Sequence, residues 1–115
     1  MHKAVQLIAL LGIGFVVGSA QAAPVKMLGF DDMTCTAWFN SKNDGEQRAS
    51  YLIWMRGVLT GYNYGQQKQQ VSTVSSGTIE MFVDRYCKLN PKDDFSEAIF
   101  RLSDQFSGRN QPITK

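Results

Sequence analysis

The stretch Gly77-Thr78-Ile79-Glu80-Met81-Phe82-Val83-Asp84-Arg85-Tyr86-Cys87-Lys88-Leu89 decides the fold. Its apolar residues Ile79, Phe82, Val83, Tyr86 and Cys87 fall at i, i+3, i+4, i+7 and i+8, the spacing of a helix with one buried face. Cys87 lies on that face, so the helix carries a sulfur into the core. Asn90-Pro91 ends the run, because a residue before proline is steered away from helical angles. Just beyond, Asp94-x-x-Glu97 has the spacing of a capping box, and its acidic charge suits the positive end of a helix dipole. Phe95, Ile99, Leu102 and Phe106, with Ala98 beside them, then form the stripe of a closing helix that stops at Gly108.

Upstream, Glu46 to about Gln66 is the longest helical candidate. Tyr51, Trp54, Met55, Val58, Leu59 and Tyr62 recur there at three- and four-residue intervals. Gly57, Gly61 and Gly65 fall four apart on one side, which leads us to expect another backbone packed closely over Gly57 and Gly61. Thr34 to Phe39 reads as a short helix carrying Cys35, Trp38 and Phe39 on one side and bringing Cys35 inward, and it ends before the Asn43-Asp44-Gly45 turn. Gln66 to Ser76 is polar and without period, hence the main loop. No strand pattern and no internal repeat occurs. The expected fold is all-α, a small bundle of about four helices over 34–108, with an extended arm at 23–33 in which order has not yet begun and a loose tail at 109–115.

Met1-His2-Lys3 followed by an apolar run from Ala4 to Gly18 and by Ala20-Gln21-Ala22 reads as a secretory signal over 1–22, cut after Ala22. The mature chain is then soluble, without a membrane span. It carries eleven Lys/Arg against ten Asp/Glu, close to neutral. No basic run with interleaved aromatics is present, so nucleic-acid binding is not expected. The leader takes the only histidine, His2, with it. Without imidazole, Ser-His, Cys-His and most zinc chemistries are excluded, and no cofactor is expected. The adjacent pairs Asp31-Asp32 and Asp93-Asp94 read as caps or exposed turns rather than as catalytic carboxylates.

Cys35 and Cys87 permit one intramolecular pairing, and export to an oxidising compartment favours it over two free thiols or an intermolecular bridge. Closing a loop of about fifty residues stabilises the fold by roughly 4 kcal/mol on the chain-entropy model.

Met33-x-Cys35, Tyr51-x-x-Trp54-x-x-Gly57-x-x-x-Gly61-Tyr62-Asn63, Tyr86-Cys87-x-x-Asn90-Pro91 and Ala98 together resemble the HdeA/HdeB-like small periplasmic helical proteins, whose founding members are acid-stress chaperones. The resemblance covers most of the mature chain. It implies a helical domain with a Cys35–Cys87 disulfide, in the periplasm of a Gram-negative bacterium, and no catalytic or cofactor residues to carry over.

Two functions are expected to compete. In the first, the domain is folded at neutral pH, as a monomer or a homodimer, and loosens in acid below about pH 5 to hold unfolding periplasmic clients. Its contact residues would be Trp54, Met55, Val58, Ile79, Phe82 and Val83, which read equally as core. In the second, a rigid periplasmic binding or immunity protein blocks one specific partner through Tyr62, Asn63, Tyr64 and the 66–76 loop, residues that also suit a helix end and a solvated loop.

Overall fold

The computed structural model describes residues 23–108. Four α-helices follow one another: α1 (Cys35–Asn40), α2 (Gly45–Gly65), α3 (Ser76–Leu89) and α4 (Phe95–Phe106), with a single 3-10 turn at Ser41–Asn43 between the first two. The signal segment and the tail expected at 1–22 and 109–115 lie outside the described residues.

Polar side chains set the helix starts. Thr34 accepts the Ala37 N–H at 3.1 Å, Asp44 accepts from Gln47 at 3.2 Å and Ser75 accepts from Thr78 at 3.1 Å, each satisfying a donor that the first helical turn leaves orphaned. α4 differs from the capping box expected of it. Asp94 makes no side-chain cap bond. Its own N–H already donates to the Asp93 carboxylate at 2.9 Å, so Glu97 has no donor to reach back to and pairs instead with Arg101 at 3.0 Å. At the far end Gly108 takes a positive φ of 79°, the left-handed stop that its lack of a side chain allows.

Every long helix buries one line of side chains at three- or four-residue spacing: Tyr51, Met55 and Leu59 from α2, Ile79, Val83 and Cys87 from α3, and Phe95, Ile99 and Leu102 from α4. At the centre sits Phe95, fully buried, with Tyr51 at 4.7 Å, Trp38 at 6.0 Å and Trp54 at 6.3 Å between ring centres. Cys35, the first residue of α1, is bonded to Cys87 near the end of α3, with Cα atoms 5.3 Å apart and both side chains without solvent contact. Beside this bond an isolated antiparallel bridge joins Thr34 to Asp94. The Cys35 N–H donates to the Asp93 carbonyl at 2.9 Å, and the Phe95 N–H donates to the Met33 carbonyl at 2.8 Å. The beginnings of α1 and α4 and the end of α3 are thereby fastened at one place.

Three expectations are corrected. Phe39 is exposed, because the turn of about 100° from Trp38 carries it off the buried line of so short a helix and onto an outer flank beside Met81. Among the described residues nothing packs over the glycine face of α2: a Cβ built at Gly57, Gly61 or Gly65 meets no atom within 4 Å. Gly57 stands two residues from Met55, about 200° around the helix and so on the solvent side. The arm, finally, is ordered well before Thr34. The Trp54 Nε1–H donates to the Leu28 carbonyl at 3.1 Å, Phe30 sets its edge on Tyr51 with ring centres 4.8 Å apart, and Met33 is buried. The close backbone approach expected in α2 occurs here instead, at Gly29, where an added Cβ would stand 2.9 Å from Met33 Sδ and 3.1 Å from the Trp54 ring.

Candidate functional site

The contact residues expected from the sequence do not form one surface. Met55, Ile79 and Val83 are fully buried core. Phe82 is half-buried on another side, edge-on to Phe106 with centres 6.1 Å apart. Trp54 and Val58 do come together, half-buried, and with Phe100 of α4 they line a cleft of about 390 Å³ whose other wall is the arm from Val25 to Leu28. Tyr62 and Asn63 are spent internally. The Tyr62 hydroxyl pairs with Ser107 Oγ at 3.0 Å, linking the ends of α2 and α4. Asn63 imitates a strand neighbour for Val71, accepting its N–H at 2.7 Å and donating to its carbonyl at 3.3 Å, so that Val71 of the polar loop is held buried.

A node that no sequence pattern announces joins α1, α2 and α3. Arg48 of α2 donates through Nε to Ser41 Oγ at 2.8 Å, through Nη2 to the Trp38 carbonyl at 2.8 Å, and through Nη1 to Glu80 of α3 at 2.9 Å. Its guanidinium carbon lies 3.7 Å over the Trp38 ring, a cation-π stack on the side chain whose Nε1–H donates to Asp84 at 2.7 Å. Among the described residues, these bonds to Glu80 and Asp84 are the side-chain hydrogen bonds between α3 and the two preceding helices, and both end on a carboxylate.

Two further carboxylates serve the fastened end. Asp32 accepts both the hydroxyl (2.7 Å) and the N–H (3.1 Å) of Thr34, the residue that caps α1, and these bonds hold its carboxyl below the usual 3.8. Asp93 accepts from the Tyr86 hydroxyl and from the Asp94 N–H, and is likewise held below 3.8. On the other side of that bond the Tyr86 phenol is pushed up to about 12, by burial first and then by the neighbouring carboxylate.

The HdeA/HdeB family model matches residues 5–97, ending in the first turn of α4. The chain belongs to the HdeA/HdeB family. This family is known for periplasmic acid-stress chaperones. No curated protein and no solved structure matches the chain. Among the described residues no helix is long and apolar enough to cross a membrane, and no cluster of three His, Cys, Asp or Glu side chains is placed to hold a metal ion.

Proposed function

We propose that this protein is a periplasmic acid-stress chaperone: folded near neutral pH, loosened in strong acid, and then able to hold unfolding client proteins on apolar surface. The observation that carries the reading is that the side-chain ties from α1 and α2 to α3 both end on carboxylates, Glu80 and Asp84, while the covalent tie is indifferent to pH. Protonation removes the Arg48–Glu80 ion pair and weakens the Trp38–Asp84 acceptor. With ten carboxylates neutralised, the mature chain moves from a net charge of +1 to about +11, and self-repulsion adds to the loosening.

The sign follows from Asp32 and Asp93. Each has a depressed value in the fold, so its contribution is present above the ordinary 3.8 and is lost as pH falls through the lowered value. The transition therefore belongs below about pH 4, lower than the pH 5 limit that unperturbed carboxylates set. The mature chain has no histidine to titrate between pH 6 and 7. In the loosened state Met55, Ile79 and Val83 become reachable and join Trp54, Val58 and Phe82 as client contacts. The test is light scattering of an acid-sensitive client at pH 2–3: suppression at stoichiometric excess is expected, with none at pH 7. A client that aggregates equally with and without the protein at pH 2–3 ends the proposal.

A further inference from the structure

The arm offers a guide to what the α2–α4 cleft accepts. Residues 25–30 form an extended apolar segment, Val25-Lys26-Met27-Leu28-Gly29-Phe30, laid along Trp54, Val58 and Phe100. Its fastening is slight: one hydrogen bond from Trp54 Nε1 to the Leu28 carbonyl, the edge of Phe30 on Tyr51, and the close seat of Gly29 against Met33 and Trp54. Among the described residues its backbone makes no hydrogen bond to other backbone before Met33. Val25 and Leu28 remain 74% and 80% exposed, and a cleft of about 390 Å³ stays open between the arm and the helices. The arm bridges the cleft without filling it. An indole donor aimed at a peptide carbonyl, flanked by apolar and aromatic walls, suits an extended chain and does not discriminate its sequence.

We propose that this cleft binds an extended apolar segment of a partner polypeptide in the place the arm occupies, the arm acting as a tethered competitor. The proposal deepens the chaperone reading and rests on it for the nature of the partner, an unfolding chain. A tethered arm competes at an effective concentration in the millimolar range, so the cleft is largely blocked until the arm lifts.

The test uses the full mature chain and a labelled synthetic peptide with the sequence of residues 23–32. Gly29→Val puts a branched side chain where a Cβ already meets Met33 and Trp54, and so lifts the arm without touching the three buried helix lines. Trypsin then cuts after Lys26 roughly fivefold faster or more, the effect of releasing about one hydrogen bond, and the peptide binds about tenfold tighter than to the unsubstituted chain. Gly57→Lys adds a cation to the cleft wall at a position where an added Cβ meets nothing within 4 Å, and it remains charged in acid. Combined with Gly29→Val it lowers peptide affinity at least tenfold, while far-ultraviolet circular dichroism stays that of the parent. Failure of the Gly29→Val chain, helices intact, to bind the peptide at millimolar concentration overturns the proposal, as does binding that Gly57→Lys leaves unchanged. The two readings separate cleanly. Aggregation suppression at pH 2.5 undiminished by Gly57→Lys, in chains that bind no peptide, sinks the cleft and keeps the chaperone. Peptide binding lost on Gly57→Lys, in a chain that suppresses nothing, supports the cleft and fails the chaperone.

Discussion

Arg48→Met removes five potential donors from the junction of three helices while keeping a side chain of similar length. The Arg48 side chain is 14% exposed, and that of its partner Glu80 is 36% exposed. Solvent therefore reduces the ion pair to about 0.5–1 kcal/mol. The bonds to the Trp38 carbonyl and Ser41 Oγ are charge-assisted and better shielded, together about 2 kcal/mol. Ser41 Oγ still donates to that same carbonyl at 2.7 Å, so the acceptor is not orphaned and the cost rises no further. Adding a cation-π stack worth about 0.5–1 kcal/mol at a partly exposed site, the substitution costs about 3 kcal/mol. With a urea m-value near 1 kcal/mol/M for a chain of this size, the unfolding midpoint at pH 7 falls by about 3 M with m unchanged. Arg48→Lys reaches one acceptor at a time and recovers less than half of the loss. A midpoint change equivalent to less than 1 kcal/mol, or complete rescue by lysine, refutes the account of Arg48 as the knot between α1, α2 and α3.

Replacing both Cys35 and Cys87 by alanine removes a cross-link spanning 52 residues; the expected loss is about 4 kcal/mol at pH 7, and sedimentation at pH 2.5 should show a more expanded chain than the parent. Tyr86, pushed up to about 12, should be the tyrosine that ionises last in an alkaline difference-absorbance titration, and because its raised value favours the protonated fold, stability should fall as pH rises from 10 to 12. Asp93→Asn should bring that phenol partway back towards 10 and flatten the acid flank of the stability curve below pH 4, both read from the same titrations. Asn63→Ala cuts both bonds to the Val71 backbone and should cost about 1–2 kcal/mol, with faster tryptic cleavage after Lys68 in the loop it releases.

The three long helices were legible because each repeats apolar residues at a period that only a helix places on one side, and the disulfide because two cysteines leave one intramolecular pairing. Single side chains that serve a backbone group left no such mark. Asn63 next to two tyrosines looks like an exposed helix end, and only the folded loop shows Val71 standing opposite both of its polar atoms. Arg48 has acceptors at Ser41, Trp38 and Glu80, at sequence distances without a common period. The arm was misjudged for the same reason: one indole bond and one ring edge hold it, and neither needs a pattern. The α2 glycines misled in the opposite direction. Their four-residue spacing is real, but it reports a close approach only where a second element packs directly against that face, and among the described residues none comes within 4 Å of a Cβ there.

The arrangement of ties along α3 makes the acid transition directional. Cys87 is locked to Cys35 near the helix's end, whereas Asp84 and Glu80 lie three and seven residues earlier, so the farther carboxylate is about 10 Å along the axis from the covalent anchor. Ile79, fully buried, lies one residue beyond it. Protonating the carboxylates would cancel the two distal ties and, at the other end, the Tyr86–Asp93 bond, but the covalent tie there is indifferent to acid, so α3 should swing open from its beginning while its end stays fixed against α1. Hydrogen exchange at pH 2.5 should therefore show amides 79–84 losing protection before amides 86–89, and in the Cys35→Ala/Cys87→Ala chain that gradient should vanish as both ends release together. Uniform loss of protection along α3 in the oxidised chain, or earlier loss at 86–89, contradicts a helix pivoting on its sulfur bond and points to acid unfolding that begins in the shared aromatic core.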